Sequence, residues 1–204
     1  MEFKLFLYVI IVLSAVFHEY AHALTAYRLG DTTAKNAGRL TLNPLVHLDP
    51  VGTVLVPLLL LFTSGIFIGW AKPVPYNPLN LRDKRYGSLK VGVAGPGANL
   101  LIALVLGIVL RLLPYFFSFS SAPLFAEALA TIVYVNIFLG LFNLLPFPPL
   151  DGSKIFMDAF PSVFQRFLSL GFLGLFIALL VAFWVLPPIA DFLFSLVVGQ
   201  AFGF

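Results

Sequence analysis

Five long apolar runs, at 3–27, 51–70, 89–113, 126–145 and 167–186, set the first constraint on this chain. Each approaches the ~20 apolar residues that carry an α-helix across a bilayer. In hydrocarbon every backbone polar group must be satisfied internally, so helices are required and irregular backbone is tolerated only where protein covers it. The predicted fold class is therefore an all-α polytopic membrane protein with about 4–6 transmembrane helices. The 204 residues are read as a single membrane-embedded domain, since 60 % are hydrophobic and only 10 % charged, against about 25 % charged in soluble domains. A last apolar stretch, 189–204, carries Asp191 and is short enough either to span or to lie in the interface.

The same composition excludes other classes. There are no cysteines, so disulfides and thiolate metal sites are ruled out. No basic stripe is interleaved with aromatics, so nucleic acid is not an expected partner. Lys4 before an apolar run and an A-x-A-like 21–23 imitate a signal peptide. However, His18 and Glu19 stand where a cleavage region needs small neutral residues.

The first run contains His18-Glu19-Tyr20-Ala21-His22, an H-E-x-x-H sequence. On a helix, positions i and i+4 share a face, so both imidazoles can reach one metal while Glu19 lies close enough to meet a metal-bound water. Neutral imidazoles, Zn²⁺ and an adjacent carboxylate are the parts of a hydrolytic site. The alternative is a chance match with both histidines bonded to neighbouring helices. Against it, a charged group near the membrane centre costs about 3 kcal/mol, and three polar groups are concentrated here within five residues.

A catalytic zinc site takes three protein ligands and keeps one position open. Asp151 is the candidate third ligand, in Asn143-Leu144-Leu145-Pro146-Phe147-Pro148-Pro149-Leu150-Asp151-Gly152. The prolines cannot continue a helix and Gly152 permits a sharp turn. Asp151 could equally be the N-cap of the helix carrying Met157. His47 and Asp49 are rival ligands, though a polar turn at the membrane surface accounts for them. Asn99 and Asn143 could each donate a hydrogen bond to a scissile carbonyl or oxyanion, or simply bond between helices.

Together, His18-Glu19-x-x-His22, Gly95-Pro96-x-x-Asn99 and Asn143-x-x-Pro146-x-Pro148-x-Leu150-Asp151-Gly152 resemble the site-2 protease family of intramembrane zinc metalloproteases. The resemblance covers residues 3 to about 156, the core of the domain, with further helices over 167–204. The segments 39–44, 47–50 and 71–75 resemble the small branch that lacks PDZ and CBS domains. The resemblance implies one Zn²⁺ per chain held by His18, His22 and Asp151, with Glu19 as general base. It implies that Asn99 and Asn143 line the site and help hold substrate. It also implies cleavage of transmembrane protein substrates from the cytoplasmic side of a cell membrane. The rival reading is a zinc-binding or metal-transporting membrane protein without peptidase activity. Oligomeric state is not readable.

Charge distribution addresses topology independently. If all five runs span, His22 and Asp151 fall on opposite faces, and the best orientation places 8 basic residues against 4. If 51–70, with Pro57, Gly65 and Gly69, enters and leaves on one side, the histidines and Asp151 share a face. Ten basic residues then stand on that face against only Lys4 and Arg111, making it cytoplasmic by the positive-inside rule. A re-entrant segment is therefore expected near the active site. The alternation of Arg39-Leu40-Thr41-Leu42 also suits a short β segment there, an edge for an unwound substrate.

Overall fold

The computed structural model describes residues 2–63, 71–116 and 123–199. The chain divides into two compact units, Met1–Gly95 and Pro96–Phe204. Among the described residues, three helices are long and apolar enough to cross a membrane: Phe3–Arg28, Gly87–Tyr115 and Pro123–Asn143.

The first unit opens with α1, Glu2–Arg28. Ser14, His18, His22 and Ala26 recur every four residues along it and are all buried, whereas Leu13 and Phe17 are exposed. This is the pattern of a helix with one face on protein and the other on lipid. The helix ends where Gly30 takes φ 106°, and the Asp31 amide returns to the Ala26 carbonyl at 2.9 Å. A short helix, α2 (Thr33–Asn36), follows.

Asn43-Pro44-Leu45 and Asn77-Pro78-Leu79 are two copies of one turn. In each, a 3₁₀ turn begins at the proline and the asparagine Oδ1 accepts from the leucine amide, at 3.1 and 3.0 Å. Between them the chain enters a π-type turn, Pro50–Leu55, and then α3, Val56–Thr63. Asp49 caps that turn, its Oδ1 accepting from the Val51 and Gly52 amides. The Tyr8 hydroxyl donates to the Thr53 carbonyl at 3.0 Å, tying α1 to the same turn. The return leg expected for a re-entrant 51–70 falls partly on 64–70, outside the described residues.

The anticipated short β segment is not formed: no strand occurs among the described residues, and 39–42 is irregular. The reason is that a strand needs a partner ladder. Here the interactions come from side chains, with Arg39 Nη1 donating to the Lys72 carbonyl at 3.1 Å and His47 Nε2 lying 2.9 Å from the Thr41 carbonyl.

The long helix α4, Gly87–Leu112, runs through the boundary at Gly95 and carries Pro96 inside it. In the second unit, α4 continues into α5, Pro123–Asn143, after residues that include 117–122. The core joins Ala103 and Leu110 of α4, Leu129, Ala130, Val133 and Ile137 of α5, and Ala190, Phe194 and Val198 of α9, Leu186–Val198. Arg111 Nη1 donates to the Leu196 carbonyl at 3.2 Å, satisfying the C-terminal end of α9.

Two short helices, α6 (Gly152–Ala159) and α7 (Pro161–Leu168), lead to α8, Phe172–Trp184. The expected span 167–186 is broken by a turn at 169–171, where Gly171 takes φ 50°, and leaves only a 13-residue helix. Pro187 and Pro188 lack the amides needed to extend it, so a new helix starts instead at Leu186.

Candidate metal centre

In the first unit, α1 brings His18 and His22 together, with their Nε2 atoms 3.0 Å apart and the rings edge to face. Both are buried. Nδ1 of His22 lies 2.6 Å from the Val91 carbonyl of α4. A carbonyl can only accept, so that contact fixes the proton on Nδ1 and leaves the Nε2 lone pair for a ligand. Two imidazole nitrogens this close need a shared proton or cation between them. Gly95 makes the space: a Cβ there would collide with Nε2 of both histidines. These observations fit a zinc ligand pair.

Glu19, the next residue along α1, is half-buried, and its Oε2 accepts from the Val74 amide at 2.7 Å. The non-helical stretch 71–77 that supplies this amide is fastened by Lys72 N to His47 O (3.0 Å) and by Asn77 N to Asp31 Oδ2 (2.7 Å). Asp31 is fully buried and also accepts from Thr33 N, Thr33 Oγ1 and Asn80 Nδ2. Burial alone would raise its carboxyl pKa, but the hydrogen bonds from Thr33, Asn80 and Asn77 outweigh it and hold the group below the ordinary 3.8.

In the second unit, Asp151 stands at the start of α6, buried, with no capping hydrogen bond from its side chain. Its Oδ1 instead pairs with Lys154 Nζ at 2.6 Å. The plain N-cap reading therefore does not describe it. Gly152 is required beside it, because a Cβ would overlap the carbonyl oxygens of Leu144 and Leu145. Asn99 is fully buried and its Nδ2 donates to Asn136 Oδ1 at 2.9 Å. Asn143 Nδ2 donates to the Leu139 carbonyl of its own helix at 3.0 Å.

His18 and His22 of the first unit and Asp151 of the second are all buried, and each offers a ligand type that zinc takes. His47 and Asp49 are committed elsewhere, to the Thr41 carbonyl and to the Pro50 turn. Several contributors escape a sequence reading. Val91 and Val74 act through their backbones. Asn136 is a lone polar residue in an apolar run, and Asp31 belongs to no motif.

The buried imidazole pair on α1 fits a zinc-binding role, and known proteins resemble the chain as follows. A profile of Peptidase family M50 matches residues 118–187. YwhC of Bacillus subtilis (strain 168), provisionally named a zinc metalloprotease, is 40 % identical over 160 residues, 76 % of this chain and 69 % of that protein. Rip2 of Mycolicibacterium smegmatis, provisionally named likewise, is 36 % identical over 142 residues, 69 % of this chain and 52 % of its own length. The zinc metalloprotease MJ0392 of Methanocaldococcus jannaschii is 36 % identical over 86 residues, 40 % of this chain and 23 % of that protein. No solved structure matches the chain. The chain belongs to peptidase family M50, the site-2 protease family of zinc metalloproteases. It is an integral membrane protein with zinc as its cofactor.

Proposed function

We propose that this chain is an intramembrane endopeptidase that hydrolyses peptide bonds in or near transmembrane segments of membrane proteins. The observation that carries the proposal is the His18–His22 pair, with Nε2 atoms 3.0 Å apart and the His22 ring oriented by Val91. The whole of 1–204 works as one metalloprotease domain, and 51–70 re-enters rather than spans. The site opens to the cytoplasm, a reading supported by ten basic residues on the face it shares under that topology. The membrane concerned is then the cell membrane.

His18, His22 and Asp151 hold the zinc, which when bound supplies Lewis-acid polarisation of water and carbonyl. Glu19 takes a proton from the attacking water and delivers it to the leaving amine nitrogen. Asn99 and Asn143 bind the substrate backbone or the developing oxyanion. In this role Asn99 is oriented by its bond from Nδ2 to Asn136 Oδ1.

The test is zinc content and cleavage of a membrane-segment reporter, comparing purified wild type with Glu19→Gln in detergent. Expected are about one zinc per chain in both proteins and loss of turnover by a factor on the order of 10² or more in the variant. Equal turnover would remove Glu19 as base. Zinc without cleavage in either protein would favour a binding or transport role, for which Glu19 is dispensable.

A further inference from the structure

We propose that the backbone amide of Val74 is a positioning group for Glu19. It holds one carboxylate oxygen so that the other is presented to the reacting water. The inference rests on the reading of Glu19 as the proton acceptor.

A helix fixes the Cα of Glu19 but not its carboxylate, which sits at the end of three rotatable bonds. A base that transfers a proton twice in one turnover gains from being held, since small misplacements of reacting groups cost large factors in rate. Val74 N donates to Glu19 Oε2 at 2.7 Å, a short hydrogen bond. The donor comes from a stretch built to be stiff. Pro73 and Pro75 flank it, each with a ring-locked φ and neither with an N–H, so from 73 to 75 the Val74 amide is the sole backbone donor.

The stretch is anchored on both sides of Val74. Upstream, Lys72 N donates to His47 O at 3.0 Å and Arg39 Nη1 donates to Lys72 O at 3.1 Å. Downstream, Asn77 N donates to Asp31 Oδ2 at 2.7 Å. The Val74 side chain is itself buried against Ala23, Ala34 and Leu40. Ala23 lies on α1 one residue past His22, so the amide is registered to the helix that carries Glu19.

The bond has two readings that differ in consequence. Glu19 could merely fasten the stretch 71–77, or the stretch could aim Glu19. Substitution at one position separates them. Val74→Pro removes the donor in a stretch that already carries proline on both sides. Val74→Ala keeps the donor and removes most of the packing. Expected for Val74→Pro is a kcat about tenfold or more below that of Val74→Ala, with KM within about twofold and zinc content unchanged. Val74→Pro turning over as fast as Val74→Ala would overturn the proposal, and so would equal losses in both.

If Val74→Pro does not fold or loses zinc, amide hydrogen exchange tests the bond on which the inference rests. Because prolines carry no amide proton, exchange across 73–75 reads Val74 alone. In zinc-loaded protein, Glu19→Ala is expected to speed that exchange by about tenfold or more, and an unchanged rate would overturn the proposal. Glu19→Gln tests the base itself. An active Glu19→Gln defeats the proposed function, whereas an inactive one beside a fully active Val74→Pro defeats only this inference.

Discussion

The Nε2 atoms of His18 and His22 face each other across 3.0 Å while Nδ1 of His22 is bound to the Val91 carbonyl. That arrangement depends on Gly95, whose missing side chain is the space both nitrogens share. Gly95→Ala therefore sets two effects against each other. Alanine favours a helix over glycine by roughly 0.5–1 kcal/mol, yet its methyl would lie on both ligand atoms. The expected protein stays helical by circular dichroism but holds less than about a tenth of the wild-type zinc, since the displaced imidazoles lose their shared geometry. Metal analysis after gel filtration checks it, and full zinc occupancy would contradict the ligand assignment.

Asp31 is the fastening point between 31–33 and 77–80, accepting from Thr33, Asn77 and Asn80. Replacing it with alanine leaves several donors without their acceptor and should cost about 3 kcal/mol, read as a lowered Tm in detergent.

The same residue predicts a pH dependence. Its folded pKa lies below the ordinary 3.8, so the unfolded chain takes up the proton first as pH falls. The stabilisation is complete above the unfolded value and lost as pH drops through the folded one. Thermal melts below about pH 4 should fall more steeply for wild type than for Asp31→Ala.

Asn99 and Asn136 form a buried amide pair between α4 and α5. Asn136→Leu should destabilise by about 1 kcal/mol, in keeping with hydrogen bonds between membrane helices. It should also lower turnover more than stability explains if Asn99 must be held in place. A double-mutant cycle with Asn99→Ala, scored on both Tm and turnover, measures the coupling, and additivity in turnover would sink the positioning role.

Much of this was legible from spacing. The i, i+4 histidines and the α4 and α5 spans follow from helical periodicity and hydropathy. What spacing could not carry was anything routed through the main chain. No side-chain pattern marks the Val91 carbonyl or the Val74 amide, because any residue offers the same groups. The alternation at 39–42 misled for a related reason: period two describes a strand only if a second strand lies beside it. The apolar run 167–186 misled because hydropathy is blind to the turn at 169–171, where Gly171 takes φ 50° and breaks the helix.

The proline spacing in 71–77 has one more consequence. In an extended chain, successive residues turn their backbone groups to opposite edges. Lys72 and Val74 both face inward, to His47 and Glu19, so the outward edge belongs to residues 73 and 75. Both are proline, and that edge carries carbonyls with no amide between them. An unwound peptide lying alongside cannot complete a ladder against it. The outer edge of the stretch that meets Glu19 is thereby closed to strand addition.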